Sequence, residues 1–519
     1  MNNSYSRADI YFLLFFFVFS GFYIFWTWNP ELAGLGGDNG VYLLTANFYS
    51  PWSPPSDIAR HFAERSQYPP LYPLLLALFG GGENILAAHL ITTACLLLAL
   101  IILRAWLISI GLHKTTANLA VMLFVLLPGT VRISMFILSE NLYLLLSMLA
   151  LYLATQAEKK KNSPWLQAAA LVIVAATLTR TVGLSLAAAF CLYLALHRPR
   201  HGLVTGLAVI IPLLLYSGYT SLKSTEHASY FAVFASYYNS DTLIKIIDQV
   251  RNESFYLWQG WQANFESAAG DFLIGLCLAI SLISLTYRVY KRRLDGYYIL
   301  CYFLIILFWP YPAEAKRFMY VVLPIMVGQS FLLISHIPSL PVGKIKIYPV
   351  NVFIIALIFL SLPNTLIIAD RLLQPLPPQL NKYRRTKHLY SLNPQIAVNN
   401  LHNAMILIED MKDLNKKLPE RAIIYGIIPS IISLYSNRLA FMPPSDINHD
   451  NSINYNGDFS RPVFFYMTAL TSPSIPTPYY PLEKIRNRME VLHMAKTHDG
   501  ENAPVISILA KLTINNRSE

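Results

Sequence analysis

The sequence is poor in charge. Asp, Glu, Lys and Arg make up 13% of its 519 residues, against roughly 25% in an average soluble domain. Together with a hydrophobic share of 55%, this excludes a soluble enzyme and a disordered chain and indicates a polytopic membrane protein. Cysteine is scarce too. Cys95, Cys191, Cys277 and Cys301 each sit in an apolar run without metal-ligand spacing, so they read as small packing residues, and no disulfide framework is implied. A GxxxxGK[ST] phosphate loop, an HExxH pair and a CxxC pair are all absent. DINHDNSINYNG at 446–457 opens like a calcium loop, but it lacks the central Gly and ends on Gly457 where a bidentate Glu is needed; it reads as an ordinary loop. No metal-ligand spacing is visible, although carboxylates from separate loops would suffice to hold a divalent metal. No internal repeat of fixed period is evident.

What is abundant is long apolar sequence. A bilayer core takes about 20 mostly apolar residues per helix. Eleven candidate runs lie near 11–28, 84–106, 115–128, 137–156, 165–179, 183–196, 202–222, 270–287, 297–309, 317–337 and 347–368. The first has no small-residue cleavage site after it and reads as an anchor that is retained. The net charge of +11 becomes informative once it is placed on the loops. With a cytoplasmic N-terminus, alternate loops carry Arg104 and Lys114; Lys159, Lys160 and Lys161; Arg198 and Arg200; Arg288, Lys291, Arg292 and Arg293; Lys344 and Lys346. The opposite loops hold most of the carboxylates, as the positive-inside rule requires. An odd number of spans then puts the C-terminus outside. Two outer loops are long, at 29–83 and 223–269. The aromatic residues of the second suit a membrane interface, a sugar-stacking surface or a lipid cover.

The character changes beyond 368. Residues 369–519 have Pro clusters and ordinary charge density, and their length suits one soluble domain. RAIIYGI, PVFFYMTAL and PVISILAKL read as strands and PSIISLYSN as a helix or turn. The expectation is a polytopic α-helical membrane module over 1–368 with a small C-terminal α/β domain on the outer, periplasmic face.

Ionisable groups near membrane depth are costly and are functional candidates when they face a cavity. Four places qualify, all on the expected outer side. GLGGDNGVYLL places Asp38 after two backbone-freeing glycines, where it would accept a proton or simply cap a helix beginning near Asn39. RSQYPPLYPLLLALFGGGEN holds an apolar run too short to span, which re-enters or lies in the interface. PGTVRISMFILSENLYLLL carries Arg132 and Glu140; Glu140 opens a helix, favoured there by the dipole, or adds a second carboxylate to an outward cavity. Finally, Arg180, Lys316 and Arg317 are cations on the wrong side of the charge bias. They would bind an anion such as a lipid phosphate or snorkel to headgroups.

In order, these motifs resemble the GT-C membrane glycosyltransferases, most of all the branch holding the lipid A aminoarabinose transferase and the protein O-mannosyltransferases. GGDNGVYLL resembles the first-loop motif, an Asp–Glu pair followed by Tyr: Asp38 and Tyr42 match, and Asn39 replaces the Glu. YPPLYPLLLALFGGGENILAAH matches at Pro69, Pro70, Leu71 and Tyr72, with Tyr68 in place of a common Lys and His89 in place of a common Arg. SENLYLLL, TRTVGL and KRFMYVVLP resemble segments that supply a second carboxylate and arginines. The resemblance runs along the whole membrane part and is loose over the last 150 or so residues.

The resemblance implies an inverting transferase in a bacterial inner membrane, moving a sugar from a polyprenyl-phosphate carrier to a periplasmic glycan, glycolipid or protein. Asp38 and Glu140 would be catalytic. Tyr42, Tyr68, Tyr72, Arg180, Lys316 and Arg317 would bind substrate. The competing readings are a transporter or lipid flippase, against which the lack of pseudo-symmetric halves argues, and a polymerase or ligase of lipid-linked glycans.

Overall fold

The computed structural model describes residues 6–160, 163–223, 242–266, 270–311, 314–342, 345–385, 394–420, 422–442, 462–468, 489–498 and 503–512. The stretch at 446–457 and the first part of the 223–269 loop lie outside them.

In chain order the helices are α1 (Arg7–Thr27), α2 (Gly37–Tyr49), α3 (Asp57–Arg65), α4 (Leu71–Leu78), α5 (Ile85–Ile110), α6 (Lys114–Leu126), α7 (Pro128–Ser134), α8 (Glu140–Lys160), α9 (Ser163–Thr177), α10 (Leu184–His197) and α11 (Pro199–Lys223). There follow α12 (Thr242–Phe265), α13 (Asp271–Tyr290), α14 (Leu294–Leu307), α15 (Ala315–Ile334), α16 (Pro349–Leu373), α17 (Pro394–Lys417) and α18 (Pro429–Ser436). The strands are β1 (Leu340–Val342), β2 (Ile345–Ile347), β3 (Ile423–Tyr425), β4 (Ala440–Phe441), β5 (Val463–Thr468), β6 (Met489–Lys496) and β7 (Val505–Leu512).

The chain forms two compact units. One contains Met1–Trp28, Gln67–Phe79 and Leu86–Asp370; the other contains Asn29–Ser66, Gly80–Ile85 and Arg371–Glu519. The first outer loop therefore folds largely with the C-terminal segment.

The first unit is helical. Each of the eleven apolar runs coincides with a helix, but the helices are unequal. Five of them (α1, α5, α13, α15 from Arg317, and α16) are individually long and apolar enough to cross a membrane. About eleven runs, several of them short, were expected as spans, and among the described residues length and composition single out these five. A sixth crossing arises if α6 and α7 count as one, bent by 60° where Pro128 starts a new helix. Shorter apolar helices fall within α9, α10, α11 and α14.

Helix α15 is the most enclosed of the five: 78% of its residues Arg317–Ile334 are buried, against 22–44% in the apolar stretches of the other four. Outer helices instead expose large apolar side chains, such as Phe17 on α1 and Phe359 on α16, as lipid-facing surfaces do. Buried hydroxyl pairs join the helices: Tyr143 with Tyr298 at 3.0 Å and Ser281 with Ser330 at 2.7 Å. Polar contacts of this kind substitute for the hydrophobic effect, which does not act between helices in lipid. Described basic loop residues gather at one end: Asp9 pairs with Arg104 (2.5 Å) and Lys114 (2.7 Å), and the end of α5 meets Lys159, Arg288 and Arg293.

The second unit is built on a five-stranded mixed sheet in the order β4-β3-β5-β7-β6. β3 runs parallel to both β4 and β5, and β7 runs antiparallel to both β5 and β6. β5 is central, and its Val463, Phe464, Phe465 and Tyr466 are all buried, as a strand covered on both faces must be. Helix α17 packs on β6 and β7, and its Leu401, Ala404, Ile408 and Met411 are buried, a helical stripe. The three sequence segments read as strands hold β3, β5 and β7, and PSIISLYSN holds α18.

Candidate functional site

Two sets of residues bear on chemistry, one in each unit.

In the helical unit, Glu140 is the first residue of α8 and is fully buried. A carboxylate in the first turn suits the helix dipole, but the dipole is not its main partner. The Arg180 guanidinium lies 2.6 Å from Glu140 Oε1, and Nε of Arg317 pairs with the same oxygen. Arg180 also donates to Ser139 Oγ at 3.2 Å and lies over the Phe318 ring at 5.4 Å. Arg317 approaches Glu314 Oε2 at 3.4 Å.

These groups arrive from three elements. Arg180 stands in extended backbone just before a 3-10 turn at Thr181–Gly183. Gly183 permits that turn: a Cβ there would come within 2.6 Å of Thr177 Cα. Arg317 lies in the first turn of α15. Arg317 keeps 25% of its side chain exposed, whereas Arg180 keeps 10%. Of the two cations, Arg317 is thus the more open to a ligand. Lys316 is in the same turn, and its side chain lies outside the described residues.

The double-proline segment leads into the same neighbourhood. The backbone N–H of Leu71 donates to the carbonyl of Leu178 at 2.9 Å, two residues before Arg180. Tyr72 is fully buried and shares a 2.7 Å hydroxyl contact with Thr92, which joins α4 to α5. Tyr68 is half-buried ahead of α4. His89 is completely buried.

In the second unit, Asp38 lies in the first turn of α2, which begins at Gly37 with Gly36 as N-cap. The expected cap at a helix starting near Asn39 is thereby corrected: the helix starts two residues earlier, and Asp38 is inside its first turn, where the dipole favours a carboxylate. Asp38 is half-buried and Tyr42 buried. Asn39 Nδ2 donates to the carbonyls of Gly34 (3.4 Å) and Gly36 (3.3 Å). A Glu in that place has no such donor, so the departure from the Asp–Glu motif ties the loop to its helix.

Helix α2 is set closely on α18. A Cβ at Gly40 would lie 2.9 Å from Ser430, and Ser430 Oγ donates to the carbonyl of Gly37 at 2.8 Å. Asn39 and Ser430 thus tie down the backbone next to Asp38; sequence reasoning noted Asn39 only as a departure from the motif and missed Ser430.

Two further buried carboxylates were also missed. Asp410 on α17 accepts from Lys417 (2.7 Å), Tyr466 (2.7 Å) and Ser507 (2.5 Å), with His493 Nε2 at 3.0 Å. Burial pushes its pKa up, but the hydrogen bonds from Lys417, Ser507 and Tyr466 prevail and hold it below the usual carboxylate range. Glu253 on α12 is fully buried, receives among the described residues a single long contact from Gln249 (3.4 Å), and burial raises its pKa to about 8. Among the described residues no group of three or more His, Cys, Asp or Glu is arranged to hold a metal.

No family model and no curated protein matches the sequence. Solved structures do match in fold. ArnT from Cupriavidus metallidurans in the apo state aligns over 97% of this chain and 98% of its own, at 14% identity and a TM-score of 0.52. The same protein bound to undecaprenyl phosphate aligns over 98% of both chains, at 13% identity and a TM-score of 0.51. From end to end, then, the chain is similar in fold to ArnT, a GT-C membrane glycosyltransferase.

Proposed function

We propose that the protein is an inverting glycosyltransferase of a bacterial inner membrane. It takes a sugar from a polyprenyl-phosphate carrier and delivers it to a hydroxyl or amine of a periplasmic glycan, glycolipid or protein. The observation that supports this best is the convergence of Arg180 and Arg317 on Glu140, in a chain whose fold is similar to a protein crystallised with undecaprenyl phosphate.

Breaking a sugar–phosphate bond leaves growing negative charge on the phosphate, and preorganised cations stabilise it without reorganising. Arg317, the more open of the two, meets the phosphate; Arg180 supports it, and Lys316 adds charge from the same helix turn. Glu140, pinned by two guanidiniums, serves as the counter-ion that sets their positions. Asp38, the half-buried carboxylate of α2's first turn, is the base that removes the acceptor's proton as it attacks. Tyr42, Tyr68 and Tyr72 contribute to substrate binding. In this reading the C-terminal unit is periplasmic and the basic end of the bundle cytoplasmic.

The test is transfer from a polyprenyl-phosphate sugar by the reconstituted full-length protein. Asp38→Asn should cut the rate by about 10²–10⁴-fold with unchanged melting behaviour. Transfer at the wild-type rate in that variant removes Asp38 from the mechanism. Deleting the gene and comparing surface glycans by mass spectrometry identifies the sugar and acceptor together.

A further inference from the structure

A second polar site lies at the far end of α8 from Glu140. Glu140 and Glu158 are separated by eighteen residues of one helix, about 27 Å at 1.5 Å per residue. There, a cavity of about 330 Å³ is lined by Glu158 and Lys159 of α8, Arg288 of α13, Arg293, Leu294 and Asp295 at the start of α14, and the apolar Trp106, Ile110 and Leu151. Its volume is roughly that of ten waters and within the range of small-ligand pockets.

The charges divide into a fixed part and an exchangeable part. Arg288 is locked. Its Nε and Nη2 sit on Asp295 at 2.9 Å and 2.7 Å, and Asp295, itself buried, takes a further bond from Gln329 at 3.1 Å. Gly296 allows this lock: a Cβ there would lie 2.8 Å from the Arg288 carbonyl carbon, so only glycine lets α14 begin against the end of α13. The bonds to Asp295 leave Arg288 Nη1 with no acceptor among the described residues.

Arg293 is different. It pairs with Glu158, but the two side chains are 42% and 44% exposed, and pairs so exposed hold weakly. Arg293 can therefore exchange Glu158 for another anion at little cost. Lys159 is exposed beside it. Three cations against two carboxylates leave the lining net positive. The apolar wall and the position at the ends of apolar helices suit a ligand that is charged at one end and greasy at the other.

We propose that this cavity binds a phosphate group, held by Arg288, Arg293 and Lys159, and that its natural source is the headgroup of an anionic membrane lipid. It is distinct from the site around Glu140 and lies at the end where the basic loops collect, which attracts anionic lipid.

The full-length protein in detergent is titrated with phosphatidylglycerol, phosphatidylcholine and inorganic phosphate, following Trp106 fluorescence and retained lipid by native mass spectrometry. Phosphatidylglycerol should bind at least about fivefold tighter than phosphatidylcholine, since only it adds a net anion to the charge-assisted bonds. The pair Arg293→Gln with Lys159→Gln should weaken it about tenfold, and Glu158→Gln, which releases Arg293, should tighten it. Inorganic phosphate binding as well as phosphatidylglycerol, with the same response to the variants, would keep the phosphate site and make its ligand soluble. Equal binding of the two lipids, or variants indistinguishable from wild type, overturns the proposal. Because Glu158→Gln predicts a gain, misfolding of the double variant does not protect it.

Discussion

Glu140 and Asp410 are both nearly or fully buried carboxylates, yet their surroundings differ in kind. Asp410 spreads its partners over both oxygens: Lys417 and His493 on one, Tyr466 and Ser507 on the other. Those partners come from α17 itself, β5, β6 and β7, so the carboxylate staples a helix to a sheet and its bonding capacity is used up. Glu140 concentrates two guanidiniums on one oxygen, and its Oε2 has no hydrogen-bond partner among the described residues. The saturated cluster holds a fold together. The lopsided one holds two cations on a single carboxylate oxygen, the arrangement on which the proposed phosphate role rests.

Breaking each cluster sharpens the contrast. The largest effect is expected for Glu140→Ala, which strands two arginines in a buried setting: about 3–5 kcal/mol of stability and essentially all transfer activity, read by thermal melting and by the transfer assay. Asp410→Asn should cost roughly 2–3 kcal/mol and lower the melting point of the second unit while the surviving folded protein still transfers sugar. Because the Asp410 pKa is depressed in the folded state, its contribution is present above the unfolded value near 3.8 and is lost as pH falls through the folded value. Acid melting of that unit should therefore begin below about pH 4, and Asp410→Asn should flatten that step.

Arg317→Ala should raise the KM for the lipid donor about tenfold or more and leave the KM for the acceptor nearly unchanged. Equal losses on both would make Arg317 structural.

Glu253 gives an effect of opposite sign. With its folded pKa raised to about 8 from 4.5, the folded protein keeps a proton that the unfolded chain releases, so stability falls as pH rises between those values. Glu253→Gln should stabilise by about 1–3 kcal/mol at pH 8 and by little at pH 4, as thermal melts at the two pH values would show.

Much of this was legible beforehand. Apolar runs of the right length mark helices because a chain in lipid must satisfy its backbone internally, and each run coincides with one. Strand segments such as PVFFYMTAL announce themselves because a doubly covered strand is continuously apolar. Helix α17 carried an equally clear stripe at Leu401, Ala404, Ile408 and Met411 that was not read. β6 had no clear signal: it is an edge strand with mixed exposure and two register shifts. The start of α2 was misplaced because Gly36 caps it with backbone geometry and no side-chain bond.

By itself, the sequence determined that the chain is a helical membrane protein with a mixed α/β appendix, because hydrophobicity and its period are properties of neighbouring residues. It also singled out Glu140, Arg180 and Arg317 as costly groups in need of a reason. Only the tertiary structure decided that these three meet on one oxygen, that Asp410 is stapled from three strands, and that Arg288 is locked while Arg293 is free to exchange. Most of these contacts join residues tens to hundreds of positions apart, brought together by helix packing and by the close contact at Gly183; even the seven-residue step from Arg288 to Asp295 depends on the close approach at Gly296 and on the distant Gln329, so no local pattern encodes them.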